Sequence, residues 1–207
     1  MNELAMFPLG SVLFPSLVLP LHVFEPRYRA MVQHLLSEGV EPEFGVVLIE
    51  RGSEVGGDDV RTHVGTLARI VEAAELPDGR WALATFGVRR IRVLEWLPDD
   101  PWPRAVVEQL DDPPAGADAD ERWAAVQVQL RRVLGLASEL GEAAVPATVE
   151  LVDDPALGSF QAAAVAPLGP ADQHALLRTI GVDERLERLL TLLGDAAELL
   201  EARLRMG

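Results

Sequence analysis

Apolar and polar positions alternate along the first half of the chain, in short runs separated by turn residues. The runs rich in apolar and β-branched residues are predicted strands: 17–23, 44–49, 65–76, 81–93 and 104–110. Pro77-Asp78-Gly79 predicts a hairpin turn between two of these strands. One helix is predicted near residues 26–38, because Pro26 suits a first helical position and apolar residues follow it at helical spacing.

Helical periodicity begins in the second half, after a segment that predicts a linker. Residues 111–120 are rich in Pro, Ala and Asp and have no apolar period. Beyond them, an amphipathic stripe consists of Trp123, Val126, Leu130, Val133 and Ala137. Further helices are predicted at 159–166, 172–180 and 183–205. We therefore expect an α+β chain, with a β domain over residues 1–112 and a helical bundle domain over 118–207.

Composition excludes several kinds of chemistry. The 207 residues include 18 basic side chains, all of them arginine, and no cysteine. Without lysine, a P-loop ATPase, a Schiff base and a Ser–Lys dyad are excluded. Without cysteine, thiol nucleophiles, disulfides and cysteine-bound zinc are excluded as well. The function must therefore work without a reactive amine or thiol side chain.

The net charge of −15 argues against two classes of partner. Nucleic acids and anionic membrane surfaces both need a basic face on the protein. The most apolar stretch, residues 4–24, contains prolines and has no basic start, so neither a transmembrane helix nor a signal peptide is predicted. We expect a cytoplasmic protein that binds neither nucleic acid nor membrane.

Catalytic and metal-binding patterns are weak. No serine lies in a GxSxG motif, and no metal-ligand spacing joins the histidines, His22, His34, His63 and His174. The paired acids are interpreted as solvated loop residues: Asp58-Asp59, Asp99-Asp100, Asp111-Asp112 and Asp153-Asp154. The basic cluster is interpreted as protection of a strand edge rather than as an RNA site: Arg89, Arg90 and Arg92. We predict no metal, cofactor or catalytic residue, although a Ser–His–Asp triad assembled from distant residues stays open.

One long motif resembles a known family. The segments Phe7-Pro8-Leu9-Gly10, Val12-Leu13-Phe14-Pro15 and 19–28 resemble the start of the Lon N-terminal domain family. The segments 154–157, 166–168 and 183–186 are similar to its helical part. That family supplies the substrate-binding region of ATP-dependent Lon proteases and also occurs as a free-standing bacterial protein. Ser16 departs from the pattern, because relatives often have glycine there, and serine would be strained if the position needs a positive φ.

The resemblance implies a fold and a role. The fold would be a PUA-like β-barrel-type domain followed by a helical bundle, and the role would be binding of polypeptides. In Lon proteases the ATPase and the Ser–Lys peptidase lie in later domains. We expect neither activity in this chain, because it ends after the helices and has no lysine.

The segment 19–28 is the predicted binding site, because polar side chains stand among apolar ones where a strand turns into a helix. The predicted peptide- or partner-binding residues, around a groove that includes the loop 51–61, are Leu21, His22, Phe24, Glu25, Arg27, Tyr28 and Arg51. In the alternative, Glu25 and Arg27 brace the corner while Tyr28 fills the core.

The leading hypothesis is a non-catalytic module that binds unfolded or exposed hydrophobic polypeptide segments, or a partner protein. Two alternatives stay open: an ATP-independent hydrolase or peptidase, and an RNA-binding PUA-like protein. The leucine stripe of the last predicted helix either packs inside its own bundle or supports a weak homo-oligomer.

Overall fold

The computed structural model describes residues 2–52 and 60–206, and the chain divides into two compact units, 1–110 and 111–207. The described part of the first unit contains strands β1 (Asn2–Leu9), β2 (Val18–Val23), β3 (Glu43–Arg51), β4 (Val60–Glu75), β5 (Trp81–Leu97) and β6 (Arg104–Gln109), with helix α1 (Pro26–Leu35). The second unit contains helices α2 (Ala119–Glu139), α3 (Pro155–Val165), α4 (Pro170–Arg178) and α5 (Val182–Met206). The predicted α+β class is confirmed.

The strands of the first unit form one mixed sheet in the order β2-β5-β4-β3-β1-β6. β1 and β3 run parallel, and the other pairs are antiparallel. β6, the last strand in this order, pairs with β1 and also with β5, the second strand. The first half of β5 pairs with β2 instead, and β2 pairs with no other strand in the described part of the unit. β2 is therefore an edge strand.

β1 was not among the predicted strands, since its apolar residues do not alternate and Pro8 interrupts them. In the structure, residues 6–9 pair with β3. The Met6 N–H donates to the Pro103 carbonyl, on the side away from β3. Backbone groups of alternate residues in a strand face the same side, so the backbone nitrogen of Pro8 faces away from β3 as that of Met6 does. Because this nitrogen carries no hydrogen, Pro8 lacks a donor only on that side, and the ladder with β3 loses no hydrogen bond.

Helix α1 covers the core of this unit. Its apolar face is buried among β-strand side chains such as Phe7 and Phe44, and it consists of Tyr28, Met31, Val32 and Leu35. The helix begins at Pro26, as predicted, and ends at Leu35 rather than at residue 38. The prediction for the basic cluster was wrong, because β5 has partners on both flanks and Arg90 is 3% exposed, so the cluster protects no strand edge.

The helical unit buries the predicted stripe of α2 together with one face of α5. Several predicted solvated acids have structural partners instead, and in the first unit the Arg61 guanidinium donates to the Asp99 carboxylate. Asp154 caps α3, accepting from the N–H groups of Ala156 and Leu157, so α3 begins at Pro155 rather than at residue 159. Asp112 accepts from the Gly181 N–H and from the Arg185 guanidinium. Among residues 2–52 and 60–206, no helix is both long and apolar enough to span a membrane.

Candidate functional site

The predicted site is a corner where β2 leads into α1. Residues of β2 alternate, with Leu21 and Val23 buried while Val18, Pro20 and His22 point outward. Phe24 follows the strand, and its side chain is 53% exposed although it is fully apolar. Pro26 then begins the helix. The change from strand to helix thus leaves an aromatic ring facing solvent.

A cavity of about 190 Å³ opens at this corner, and we name it the corner pocket. It is lined by Phe7, Pro8, Leu9, Pro20, Leu21, His22, Val23, Phe24, Glu25 and Tyr28. Its apolar base is rigid, because the rings of Phe7 and Tyr28 stack with centroids 4.2 Å apart. Five of the predicted site residues therefore lie around one cavity: Leu21, His22, Phe24, Glu25 and Tyr28.

The other two predicted residues lie outside this lining. The Arg27 Nε is 3.2 Å from a Glu25 carboxylate oxygen, and its guanidinium carbon is 4.5 Å from the centre of the Tyr28 ring. Arg27 thus contacts its two neighbours through an ion pair and a cation–π contact. Arg51 ends β3 and lines neither this pocket nor the hollow described next. Residues 53–59 of the loop predicted to share the groove lie outside the described residues.

A second, shallower concavity adjoins the corner pocket on the outer face of β2, β5 and β4. We name it the sheet hollow; its volume is about 590 Å³ and it shares Pro20, Leu21 and His22 with the pocket. Cross-strand register places Pro20, Ala84 and Glu72 in one row. The next row contains His22, Ala82 and Ala74. The alanines make the hollow, because their small side chains leave the backbone uncovered.

Sequence reasoning missed this hollow, although alanines at alternate positions on a strand were a visible signal. One end of the same face is apolar. Val18 lies opposite Phe86, and these side chains are 64% and 37% exposed. Neighbouring apolar side chains that remain open to water are typical of binding surfaces.

The charge on this face is negative. Arg69 is bound by Glu43, and Arg80 is bound by Asp78, so neither guanidinium is available to offset the nearby acids. The backbone N–H of Arg80, aided by its guanidinium, lowers the pKa of the Asp78 carboxyl. Within the described residues, Glu72 and Glu75 have no ion pair. Of the two, Glu72 lines the sheet hollow, which therefore presents one uncompensated carboxylate.

The lining of the corner pocket combines apolar side chains with a few polar ones. It carries His22, Glu25 and Tyr28 as titratable groups and no serine, threonine or arginine. No group of three or more His, Asp or Glu side chains that could hold a metal occurs in the part of the chain that the structure describes. An apolar cavity with a polar rim buries an apolar side chain and orients it by a few hydrogen bonds.

A family model identifies the proteins to which this chain is related. The model of the substrate-binding domain of ATP-dependent protease La (Lon) matches residues 3–195. The chain belongs to the Lon substrate-binding domain family. The resemblance of its first 28 residues and of its helical part is thus confirmed across nearly the whole sequence.

Curated relatives of this Lon-family chain are much longer proteins. It is 28% identical over 203 residues to Lon protease 2 of Herpetosiphon aurantiacus, covering 96% of this chain and 24% of that protein. It is 30% identical over 196 residues to Lon protease of Anaeromyxobacter dehalogenans, covering 93% of this chain and 23% of that protein. The chain therefore spans about a quarter of the length of these relatives.

Solved structures of the family share the fold. The Lon N-terminal domain protein from Xanthomonas campestris is 27% identical, with a TM-score of 0.67 over 92% of this chain and 98% of that one. The N-terminal domain of the Mycobacterium avium complex Lon protease has a TM-score of 0.68 over 94% of this chain and 99% of that one. At 19% identity, the second likeness shows the fold alone.

Proposed function

We propose that this chain is a non-catalytic, cytoplasmic module that binds unfolded or exposed hydrophobic polypeptide segments at the corner pocket. The proposal is supported by membership of a family of substrate-binding domains, together with an apolar pocket beside the exposed ring of Phe24. It includes the finer description of the chain as a PUA-like domain over residues 1–112 and a helical bundle over 118–207.

The binding energy would come from apolar burial. An apolar side chain transferred from water into a pocket contributes about 1.5–3 kcal/mol, so several such contacts are needed to offset the entropic cost of association and reach micromolar affinity. Folded proteins hide such side chains, whereas unfolded segments expose them. The module would therefore select polypeptides by their folding state rather than by a fixed sequence.

The test is a titration of one carrier protein in two states. A fluorescently labelled protein, kept unfolded by reduction and carboxymethylation of its cysteines, is titrated with this chain and followed by anisotropy. We expect saturable binding with a Kd of about 1–100 μM, and no binding of the same carrier in its native form. Equal binding of both forms, or no binding of the unfolded form, would contradict the proposal.

The same mixtures test the non-catalytic part. After prolonged incubation, mass spectrometry of the carrier should show no new fragments. Fragments that disappear when one serine or histidine of this chain is replaced would establish a hydrolase instead.

A further inference from the structure

The outer side of β2 offers free backbone groups. The Gly87 N–H donates to the Leu17 carbonyl, so odd-numbered residues of this segment face β5. The intervening residues, Val18, Pro20 and His22, direct their backbone groups to the opposite side. In the described part of the unit no strand pairs with that side. Val18 and His22 therefore each present an N–H and a carbonyl to an approaching chain.

A second open edge faces the same pocket. The ladder between β1 and β6 ends at Ala5 and the Met6 N–H bonds to the Pro103 carbonyl, so in the described part of the unit residues 7–9 of β1 pair with β3 alone. Pro8 faces away from β3, and its carbonyl points to the open side. The corner pocket is lined by residues 7–9 of this edge and residues 20–23 of β2. The pocket thus lies where two unpaired edges meet.

Prolines reduce the number of backbone N–H groups that these two edges offer to an added strand. Pro8 and Pro20 each remove one N–H from an open side, which blunts an edge against indiscriminate pairing. The N–H groups that remain on β2 belong to Val18 and His22, on either side of Pro20. An added strand can bond to both, with its acceptors matched to that spacing.

We infer that the polypeptide binds as an extended strand along the open edge of β2, an inference that rests on the proposed function. Alternate side chains of the added strand would face inward with Leu21 and Val23, where the corner pocket receives an apolar one. The intervening side chains would lie beside Pro20 and His22, next to the sheet hollow. The unpaired Glu72 there favours basic side chains at those positions.

The substrate class is therefore specific: extended segments with apolar residues at alternate positions and basic rather than acidic residues between them. Helical or compact segments are excluded, because their N–H and carbonyl groups already bond internally. This requirement goes beyond hydrophobicity, since it is set by the backbone groups of Val18 and His22.

Backbone methylation of the ligand tests strand addition directly. The probe is a labelled synthetic peptide with leucine at alternate positions and threonine or arginine between them. One version is N-methylated at the odd positions and another at the even positions. Only one set of N–H groups can face β2, so we expect one version to bind about tenfold more weakly and the other to bind like the parent. Equal effects of the two methylations would overturn the inference.

Two variants of the protein provide the complementary test. His22→Pro removes the outward N–H together with the imidazole, whereas His22→Ala removes the imidazole alone. We expect His22→Pro to bind the peptide about tenfold more weakly than His22→Ala, because both variants lack the imidazole and they differ in the outward N–H. Circular dichroism and thermal unfolding check that both variants fold. If either variant does not fold, the methylated peptides still test strand addition on the unmodified chain.

The outcomes separate the two ideas. If the unfolded carrier binds but the alternating peptide does not, or if His22→Ala weakens binding as much as His22→Pro, strand addition fails while polypeptide binding stands. If neither the carrier nor the peptide binds, the proposed function itself fails.

Discussion

The Arg185 guanidinium donates a 2.8 Å hydrogen bond to the carboxylate of Asp112, a residue 73 positions earlier in the chain. The Arg185 side chain is 0% exposed. It also donates to the Ser159 hydroxyl, and its guanidinium carbon lies 4.0 Å from the centre of the Phe160 ring. One buried cation thus joins the start of the helical unit to α3 and α5.

Removing the acid should destabilise the helical unit strongly. Asp112→Ala would leave a buried guanidinium without its counter-ion, so we expect the free energy of unfolding to fall by about 3–5 kcal/mol. Arg132→Ala is the control, since it breaks an ion pair with Glu201 at the surface and should cost no more than about 1 kcal/mol. Hydrogen exchange of α3 and α5 amides measures both changes; similar small effects would show that Arg185 finds other partners.

The sequence could not show this arrangement. The Pro- and Asp-rich composition of residues 111–120 indicated a segment without regular structure, which holds up to residue 118 because α2 begins one residue later, but composition is local. The role of Asp112 depends on Gly181 and Arg185, which the fold alone brings to it. The burial of Arg90 was missed because the sequence does not show strand order: β4 and β6 are the strands next to β5 in the chain, and only the fold shows that both flank it.

Ser16 has a φ of 64°, in the left-handed region that the sequence comparison anticipated. Its N–H donates to the Gly87 carbonyl, so the loop cannot relax without losing that bond. Ser16→Gly should stabilise the β unit by up to about 1 kcal/mol, and Ser16→Val should destabilise it by about 1–2 kcal/mol. Urea unfolding followed by tryptophan fluorescence in a Trp123→Phe background reports on this unit, which contains the other three tryptophans: Trp81, Trp96 and Trp102. A valine variant as stable as the glycine variant would contradict the argument.

Glu142 and Arg203 form an exposed ion pair with a predictable pH dependence. Hydrogen bonds from the Arg203 side chain lower the pKa of Glu142 below its ordinary value of 4.5. A carboxyl whose pKa is lower in the folded state stabilises it above the ordinary value, and the effect is lost as the pH falls through the folded pKa. Arg203→Ala should therefore raise the Glu142 pKa and destabilise slightly at neutral pH but not in strong acid. NMR titration of the Glu142 carboxyl checks the direction, and an unchanged pKa would contradict it.

The sequence predicted part of the lining of the corner pocket, the candidate site. The prolines and mixed polarity of residues 19–28 indicated a strand-to-helix corner, and five of the predicted residues line one pocket. The contribution of Phe7, Pro8 and Leu9 was not predicted as part of that pocket, because β1 reaches it through parallel pairing with β3. The predicted role of Arg51 stays a prediction.

One pair of variants tests most directly whether polypeptides bind at the corner between β2 and α1. Phe24 and Leu199 are similarly exposed, at 53% and 62%, but Leu199 belongs to α5 and is not among the residues that line the corner pocket. An aspartate at either position adds the same charge and removes an apolar side chain that contributes little to the core.

The measurement is the affinity of each variant for the unfolded carrier, by anisotropy at constant salt. We predict that Phe24→Asp weakens binding by at least about tenfold, while Leu199→Asp changes it by no more than about twofold. If Phe24→Asp binds like the unmodified chain, or if both variants lose affinity equally, the corner pocket is not where polypeptides bind.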